Sequence, residues 1–305
     1  MIMQENTKFD AIIIGGSYAG LSAAMALGRA LRNVLIIDHK KPCNRYTPHS
    51  HNFITQDGEV PASIAAKARQ QVAQYATVHF LDNEVIKASQ FDTSFQVETI
   101  DGQAYVAKKL LFATGLKDLM PEISGFEACW GKSILHCPYC HGYEVKNQLT
   151  GVLSNGDIGF EFIKLIRNWT DNLVLITNGP SSINEEQRSL LSKHNIPIIE
   201  KPISSFEHNQ GYIRHIIFSD QSTYEVKALY ARPVFEQHSD LPVSLGCELT
   251  EQGLLKVDTL QKTNVKGIFA AGDNSSLFRS VSFAVSTGTM AGAALNKELV
   301  DEEFK

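Results

Sequence analysis

The chain has 305 residues, of which 43% are hydrophobic and 20% are charged, and its formal net charge is -5. A chain of this length accommodates two domains with separate cores, and its composition is typical of a globular protein in water. The small negative charge, without a dense run of Lys or Arg, argues against general attraction to nucleic acid or to an anionic membrane.

The N-terminal segment has the order of a nucleotide-binding βαβ unit. Residues 9–14 and 34–38 are short apolar runs rich in Ile, as buried parallel strands are. Between them, Gly15, Ser17 and Gly20 give the pattern GxSxxG before a helix-forming segment. Gly15 would make the tight turn, Gly20 would let helix and strand pack closely, and the helix N-terminus would receive a pyrophosphate.

Asp38 ends the second of these strands, eighteen residues after Gly20. At that spacing its carboxylate can accept a hydrogen bond from a ribose hydroxyl. Ser17 replaces the middle glycine of the usual pattern, and a serine still permits close approach of the backbone. The two strands, the helix and the acid favour a dinucleotide site over a glycine-rich turn in another kind of α/β protein.

The central stretch His136–Glu144, with the sequence HCPYCHGYE, is predicted to be the redox centre. Cys137 and Cys140 are separated by two residues and can close a small disulfide ring with little backbone movement. A helix N-terminus or a histidine nearby lowers the pKa of such a thiol and supplies the reactive thiolate. His136 and His141 flank the pair and can carry protons near neutral pH.

Three other uses of a CxxC pair are less compatible with its surroundings. The residues Cys137–His141 also match the CxxCH pattern of c-type haem attachment, which would require export. A zinc site would require a second pair of ligands, and since no other CxxC or HxxxH occurs, no metal is expected. A glutaredoxin would place the pair just after the first strand of a domain of ~100 residues, which the surroundings do not match.

The remaining cysteines are Cys43, Cys129 and Cys247. One tight pair and three separate thiols do not make a secreted disulfide framework, and no signal peptide is visible, so we expect a cytoplasmic protein. Cys129 and Cys247 are expected to be buried as small hydrophobic residues, and Cys43 to be exposed. A role for Cys43 or Cys129 as a resolving cysteine is the less favoured alternative.

Two further segments follow a recognisable order. Residues 109–115 form a predicted strand that ends in Ala-Thr-Gly, and residues 263–273 form one that ends in Gly-Asp. A helix-like stretch then runs from about Ser280 to Leu299. Between these segments we predict a helix over 187–192, strands over 196–199, 211–218 (in an antiparallel ribbon) and 229–235, and a polar linker over 236–240.

In order, the GxSxxG, Ala-Thr-Gly, CxxC and Gly-Asp segments resemble low-molecular-weight thioredoxin reductases and related dithiol–disulfide oxidoreductases over nearly the whole chain. Cys137–Glu144 looks most like the CxxCHG(Y/F)E branch, which includes fungal dithiol oxidases that close disulfides in gliotoxin-type natural products. The resemblance implies an α/β fold with two Rossmann-like, three-layer dinucleotide-binding domains, the second inserted into the first. It implies an FAD-binding domain over 1–116 and 240–305 and an NAD(P)-binding-like domain, which carries the CxxC, over 117–239.

The resemblance also implies roles for individual residues. Cys140 would lie against the flavin as the charge-transfer thiolate, and Cys137 would attack the partner disulfide. His141 stands where the family has a general-acid aspartate, and an unperturbed pKa near neutrality suits that role. The implied FAD contacts are Gly15, Ser17, Gly20, Asp38, Asn52, Val85, Thr114, Gly115, Gly272, Asp273, Ser280 and Val281.

The family binds NADPH in its inserted domain, and the matching stretch of this chain departs from the pattern. Ser154, Gly156 and Gly159 stand at the three glycine positions, so the first, turn-making glycine is missing. Thr177 lies eighteen residues past Gly159, where a ribose would require an acid, and residues 178–182 contain no arginine for a 2′-phosphate. NADPH binding is therefore possible but doubtful, unless it uses other residues such as Lys164 or Arg167.

The sequence thus predicts an FAD-dependent thiol–disulfide oxidoreductase. It would pass two electrons between flavin, the Cys137–Cys140 disulfide and a thioredoxin-like protein or a small dithiol. The alternatives are an oxygen-dependent dithiol oxidase and a ferredoxin-linked thioredoxin reductase that does not use NADPH. A flavin-binding redox sensor is the non-enzyme alternative, and the intact HCPYCHGYE stretch argues against it. The family resemblance also implies a homodimer.

Overall fold

The computed structural model describes residues 8–305 and divides into two compact units. The described part of the first unit comprises residues 8–43, 62–117 and 235–305, and the second unit comprises 44–61 and 118–234. The expected boundaries placed all of 1–116 in one domain. The structure differs at the segment 44–61, which packs with the second unit.

Helices are interspersed among the strands along the chain. The first half contains β1 (Lys8–Ile14), α1 (Tyr18–Arg29), β2 (Val34–Asp38), α2 (Pro61–Val72), β3 (Val78–Asp82), β4 (Val85–Phe91), β5 (Ser94–Thr99), β6 (Ala104–Phe112), β7 (Leu116–Asp118), α3 (Phe126–Cys129), β8 (Ile134–Leu135), α4 (Pro138–His141) and β9 (Thr150–Leu153). The second half contains α5 (Gly156–Ile166), β10 (Leu173–Ile176), α6 (Glu185–Lys193), β11 (Ile198–Ile199), β12 (Ile203–Asn209), β13 (Tyr212–Phe218), β14 (Thr223–Glu225), β15 (Ala228–Ala231), β16 (Phe235–Gln237), α7 (Leu241–Ser244), β17 (Ile268–Ala270) and α8 (Val281–Glu303).

The first unit is built on a mixed sheet with the order β3-β2-β1-β6 in its parallel part. The outer edge of β6 pairs with antiparallel β5 along its first half and with parallel β17 along its second half. Both faces of β1 are buried: Ile13 lies next to α1, and Ile12 packs into a cluster with Phe95 on the opposite face. Burial on both faces explains why the strand is continuously apolar.

The C-terminal helix α8 packs directly against α1 through small residues. A Cβ atom at Gly288 would lie 2.1 Å from the backbone oxygen of Ala19, and one at Gly292 would lie 2.7 Å from that of Ala23. Backbones this close leave no room for a side chain. The far half of α8 is fixed by charge, because the nearly buried ammonium of Lys109 on β6 contacts Glu298 at 2.7 Å and Glu302 at 2.8 Å.

The second unit has a five-stranded parallel sheet with the order β11-β10-β9-β15-β8. Strand β9, helix α5 and strand β10 repeat the βαβ layout of β1, α1 and β2, as the sequence predicts. Strands β12, β13 and β14 form a separate antiparallel sheet, so the predicted ribbon is present. The α/β fold with two such sheets is therefore confirmed.

Some predicted elements are shorter than expected or differ in kind. β15 ends at Ala231, two residues before Pro233, which cannot donate a backbone hydrogen bond to a neighbouring strand. Residues 236 and 237, expected to begin a linker, belong to strand β16 (Phe235–Gln237), which pairs with β7. Only Ile268–Ala270 of the predicted strand 263–273 is a strand.

No helix within residues 8–305 is long and apolar enough to cross a membrane.

The α1–α8 contact gives a stability prediction. Gly288→Ala should lower the free energy of unfolding by about 1–3 kcal/mol, because the new methyl group would overlap the Ala19 carbonyl. In an uncrowded helix the same change would stabilise by about 1 kcal/mol, so the sign of the effect is diagnostic. Thermal or urea unfolding measures it, with exposed Ser286→Ala on the same helix as control. An increase in stability for Gly288→Ala would show that the helices are less closely packed.

Candidate active site

The turn between β1 and α1 requires glycine at two positions. Gly15 has φ +104°, and a Cβ there would lie 2.3 Å from the Ala113 carbonyl oxygen. A Cβ at Gly20 would lie 1.9 Å from the carbonyl oxygen of Gly15. The first turn of α1, which begins after Ser17, is therefore held directly above the end of β1. Its free backbone N–H groups suit an anionic ligand such as a pyrophosphate.

Asp38 lies at the carboxyl end of β2, beside this turn. A Cβ at Gly16 would lie 2.8 Å from the Cβ of Asp38, so the glycine turn and the carboxylate are in contact. Within residues 8–305 the Asp38 carboxylate has no hydrogen-bond or ion-pair partner. A partly buried acid without a partner at this position suits the hydroxyl groups of a ribose.

The ends of β6 and β17 bring two distant segments together in the same unit. Their register pairs Phe112 with Ala270, which places Thr114 and Gly115 near Gly272. The buried Asn274 joins them, because its side-chain amide donates to the Phe112 carbonyl at 2.8 Å and to the Thr114 hydroxyl at 3.4 Å. Sequence reasoning missed Asn274, although it lies directly after the Gly-Asp pair.

The Gly-Asp turn is also tied to the last helix. The backbone N–H of Gly272 donates to the Thr287 hydroxyl at 3.1 Å, and Gly272 has φ +89°. Asp273 lies 3.6 Å from the guanidinium of Arg279. Ser280 is the N-cap residue of α8, which starts at Val281, and its hydroxyl accepts from the backbone N–H of Phe283. The structure thus brings most of the predicted cofactor contacts into the first unit.

Two predicted cofactor residues lie away from these two turns. Val85 is the first residue of β4, and its side chain is buried in the core of the first unit. Asn52 belongs to the segment 44–61 of the second unit, where it has φ +60° and its backbone N–H donates to Asp57 at 2.8 Å. The roles of Val85 and Asn52 remain predictions.

In the second unit, the CxxC pair lies at the carboxyl edge of the parallel sheet. Cys137 follows β8 and is the N-cap residue of the short helix α4, with Pro138 at the first helical position. Proline is favoured there because its backbone nitrogen has no hydrogen to satisfy. The backbone N–H of Cys140 donates to the Cys137 carbonyl at 3.3 Å, and both thiols are half-buried.

The pKa values of the two thiols are shifted in opposite directions. The pKa of Cys137 is lowered to about 6, chiefly because the Cys140 thiol donates a hydrogen bond to the Cys137 sulfur. The backbone N–H groups of Tyr139 and Cys140 and the charge of Arg232 lower it further. The pKa of Cys140 is raised, first by that same hydrogen bond and then by burial. Cys137 is therefore the more acidic thiol of the pair, and Cys140 holds the shared proton.

His141 follows Cys140 and is half-buried. Burial lowers the pKa of His141 to about 4, against the opposing effect of the Glu144 carboxylate. The sequence predicted a group near neutrality that supplies or removes a proton. In the structure the imidazole is therefore neutral at pH 7 and carries no extra proton to donate.

Two groups that the sequence did not single out as site residues face His141. The ring of His51, from the segment 44–61, lies perpendicular to that of His141 with 6.5 Å between centroids. The Nε2 atom of His51 is 3.5 Å from a carboxylate oxygen of Glu144. His51 lies 90 residues away along the chain, and only the packing of 44–61 on the second unit reveals it.

The turn between β9 and α5 resembles the first turn in outline only. A Cβ at Gly159 would lie 3.0 Å from the backbone of Ser154, much as Gly20 lies close to Gly15. Gly156 instead has the positive φ, +61°. The Asn155 carboxamide accepts from the backbone N–H of Gly156 at 2.8 Å and from that of Ser182 at 2.9 Å, and it donates to the Pro180 carbonyl at 2.9 Å.

The groups around this second turn do not suit a nucleotide phosphate. Thr177 is buried, and its hydroxyl donates to the carbonyl oxygen of Gly179 at 2.7 Å. Asp157 places a carboxylate in the first turn of α5. Arg188 on α6 is paired with Glu200 at 3.2 Å. The polar groups of the turn are thus hydrogen-bonded to neighbouring backbone groups, and the turn carries an acid where a pyrophosphate would bind.

The remaining cysteines are placed as the sequence predicts: Cys129 and Cys247 are buried, and Cys43 is exposed. Burial raises the pKa of both Cys129 and Cys247. The Cys43 sulfur lies 3.8 Å from Asp273. In the described part of the chain, no three His, Cys, Asp or Glu side chains are grouped to hold a metal ion.

Comparison with known proteins gives consistent matches over both units. The pyridine nucleotide-disulphide oxidoreductase family matches residues 9–288. Thioredoxin reductase sirT of Leptosphaeria maculans is 32% identical over 94% of this chain and 93% of its own length. An oxidoreductase structure from Agrobacterium tumefaciens has a TM-score of 0.90 at 35% identity, covering 96% of this chain and 99% of that one. HlmI has a TM-score of 0.92 at 31% identity, covering 99% and 96%.

The acidity of Cys137 can be tested by alkylation. In the reduced protein, the rate of Cys137 carboxamidomethylation should rise with pH through a midpoint near 6. Cys140→Ala removes the strongest hydrogen bond to the thiolate and should move that midpoint upward, towards the ordinary thiol value of about 8.5. Peptide mass spectrometry resolves the individual cysteines. Cys43→Ala is the matched control and should leave the midpoint unchanged, whereas no change in Cys140→Ala would contradict the assigned hydrogen bond.

Proposed function

The chain belongs to the pyridine nucleotide-disulphide oxidoreductase family and is a thioredoxin-reductase-like enzyme, and on this basis we propose an FAD-dependent dithiol–disulfide oxidoreductase that does not depend on NADPH. The observation that carries the proposal is the contrast between the two glycine turns. The first is free to receive a dinucleotide, whereas the second is bonded to its own chain.

The residues of the first unit fit FAD. The glycine turn at Gly15 and Gly20 leaves backbone room for a pyrophosphate, and Asp273 suits a polyhydroxyl chain. The Asp38 carboxylate, which has no partner among residues 8–305, suits a ribose. The N-terminus of α8 offers a positive dipole end. When bound, FAD supplies a two-electron donor or acceptor for the dithiol pair.

The thiol chemistry follows from the assigned acidities. The Cys137 thiolate attacks one sulfur of a substrate disulfide, forming a mixed disulfide and releasing the other sulfur as a thiolate. Cys140 then loses its proton and attacks the Cys137 sulfur, which releases the second substrate thiolate and closes the Cys137–Cys140 disulfide. The reverse sequence oxidises a substrate dithiol and leaves the pair reduced. Each direction transfers two electrons between substrate and enzyme.

We assign the proton of Cys140 to His141. The neutral imidazole accepts that proton when Cys140 becomes a nucleophile, and it returns the proton when Cys140 is again a thiol. The Glu144 carboxylate favours the protonated imidazole, since its charge opposes the effect of burial on the pKa of His141. The low pKa keeps His141 neutral in the resting state, so its imidazole has an open acceptor nitrogen.

Electrons are proposed to enter or leave without the second glycine turn. A pyrophosphate there would have to displace the Asn155 bonds and approach Asp157, and no arginine lies in 178–182. With dioxygen as acceptor, one dithiol and one dioxygen give one disulfide and one hydrogen peroxide, which makes the protein a dithiol oxidase. With reduced ferredoxin as donor, it would instead reduce a disulfide.

The substrate is proposed to be a thioredoxin-like protein or a small dithiol, because either can present sulfur to the half-buried Cys137. A homodimer is proposed from the family resemblance, and a cytoplasmic location from the pattern of one tight cysteine pair and three separate thiols.

The electron donor can be identified by anaerobic titration. The flavin absorbance of the purified protein should not bleach with stoichiometric NADPH or NADH, and should bleach with a small dithiol such as dithiothreitol. Cys137→Ser should abolish bleaching by the dithiol. Rapid stoichiometric bleaching by NADPH, retained in Cys137→Ser, would show that the second unit binds the nucleotide and that the protein is an NADPH-driven reductase.

The role of His141 gives a kinetic prediction. His141→Asn should slow anaerobic flavin bleaching by dithiothreitol by about 10²-fold at pH 7, because general-base catalysis of this kind contributes about that factor. The deficit should shrink as the pH rises, since hydroxide then removes the proton. Stopped-flow absorbance measures both effects. His194→Asn, at an exposed position of the same unit, is the control, and an unaltered rate in His141→Asn would remove the histidine from the mechanism.

A further inference from the structure

Strand β15 passes beside the redox centre at the carboxyl edge of the sheet. β15 and β8 are parallel, with Leu229 opposite Ile134 and Tyr230 opposite Leu135. Two residues beyond the second pair, the chain reaches Arg232 after β15 and Cys137 after β8. The register therefore carries Arg232 alongside the nucleophilic cysteine.

Arg232 is held by an aromatic contact and not by an acid. Its guanidinium carbon lies 3.8 Å from the ring centroid of Phe162 on α5. Tyr230, on the same face of the strand, meets the same ring edge-on at 6.0 Å. Within residues 8–305, Arg232 has no hydrogen bond or ion pair with another residue, in contrast to Arg188 with its Glu200 partner. The charge of Arg232 is therefore not neutralised by a carboxylate.

The groups around the Cys137 sulfur can be identified on each neighbouring element. Cys140 on α4 and Tyr230 and Arg232 at β15 interact with Cys137, and Glu144, just after α4, acts on Cys140, His141 and Tyr230. Arg232 is the cation whose charge acts on Cys137, and the Cys137 charge in turn acts on Arg232. The Tyr230 hydroxyl is buried and has no hydrogen-bond partner in the described part of the chain.

We propose that Arg232 is a positioning residue that stabilises Cys137 as a thiolate by charge, while Phe162 fixes the guanidinium in place. Stacking on an aromatic ring leaves the guanidinium charge available, whereas a salt bridge would cancel it. This contribution persists in any step where the Cys140 thiol no longer donates to Cys137. The inference rests on the proposed role of Cys137 as the attacking thiolate.

The experiment compares Cys137 alkylation against pH in reduced wild type, Arg232→Gln and Arg232→Lys. The Arg232→Gln midpoint should rise by about one pH unit, and that of Arg232→Lys should stay within a few tenths of the wild-type value. Arg167→Gln removes a charge at the C-terminal end of α5, so it is the charge-matched control and should leave the Cys137 midpoint unchanged. Circular dichroism checks folding of each variant.

A second measurement uses the wild-type protein alone. Because Arg232 is exposed to solvent, raising the salt concentration should weaken its effect and move the Cys137 midpoint upward. The salt dependence is measured on the wild-type protein, so it does not depend on whether any variant folds.

The outcomes separate the two proposals. A wild-type midpoint near 8.5 would overturn the thiolate assignment itself, and with it the proposed function. A wild-type midpoint near 6 that is unchanged in Arg232→Gln and insensitive to salt would leave the proposed function intact and overturn the role of Arg232. A rise in Arg232→Gln that Arg232→Lys does not show, together with salt sensitivity, supports the inference.

Discussion

The close approach of α8 to α1 is the constraint on which the first unit depends. The Ala19 carbonyl lies where a side chain at Gly288 would be, and the Gly15 carbonyl lies where one at Gly20 would be. These contacts link the start and the end of the chain around one turn. As a result the Gly-Asp segment, which follows β17, reaches the same edge of the sheet as Asp38. The proposed FAD site, which uses residues from both halves of the chain, requires this packing.

The two βαβ units show how one topology can carry two kinds of chemistry. In the first, glycines clear space, and Asp38 is left without a partner in the described structure. In the second, the Asn155 side chain satisfies the turn and Asp157 adds a negative charge at the helix N-terminus. A helix N-terminus attracts anions only when its N–H groups are free and the surrounding charge is favourable. The proposed function therefore treats the second unit as the support of the CxxC pair.

The redox centre depends on small differences in environment between chemically identical groups. Cys137 is the N-cap residue of a short helix and accepts hydrogen bonds, whereas Cys140 donates one, so a single shared proton makes Cys137 the more acidic thiol. Burial keeps His141 neutral, and the Glu144 carboxylate opposes that effect. Arg232 adds a charge from a strand more than ninety residues away in sequence. Charge, burial and hydrogen bonding thus act together on one sulfur.

The sequence by itself determined the fold class, the first nucleotide turn and the CxxC centre, because glycine spacing, apolar periodicity and paired cysteines are local patterns. It also indicated that Ser154 and Thr177 depart from a nucleotide site. Only the tertiary structure decided which groups surround the cysteines. His51 and Arg232 come from distant segments, and no local pattern marks either one. The low pKa of His141 likewise follows from burial, which is a property of the packed chain and not of its neighbours in sequence.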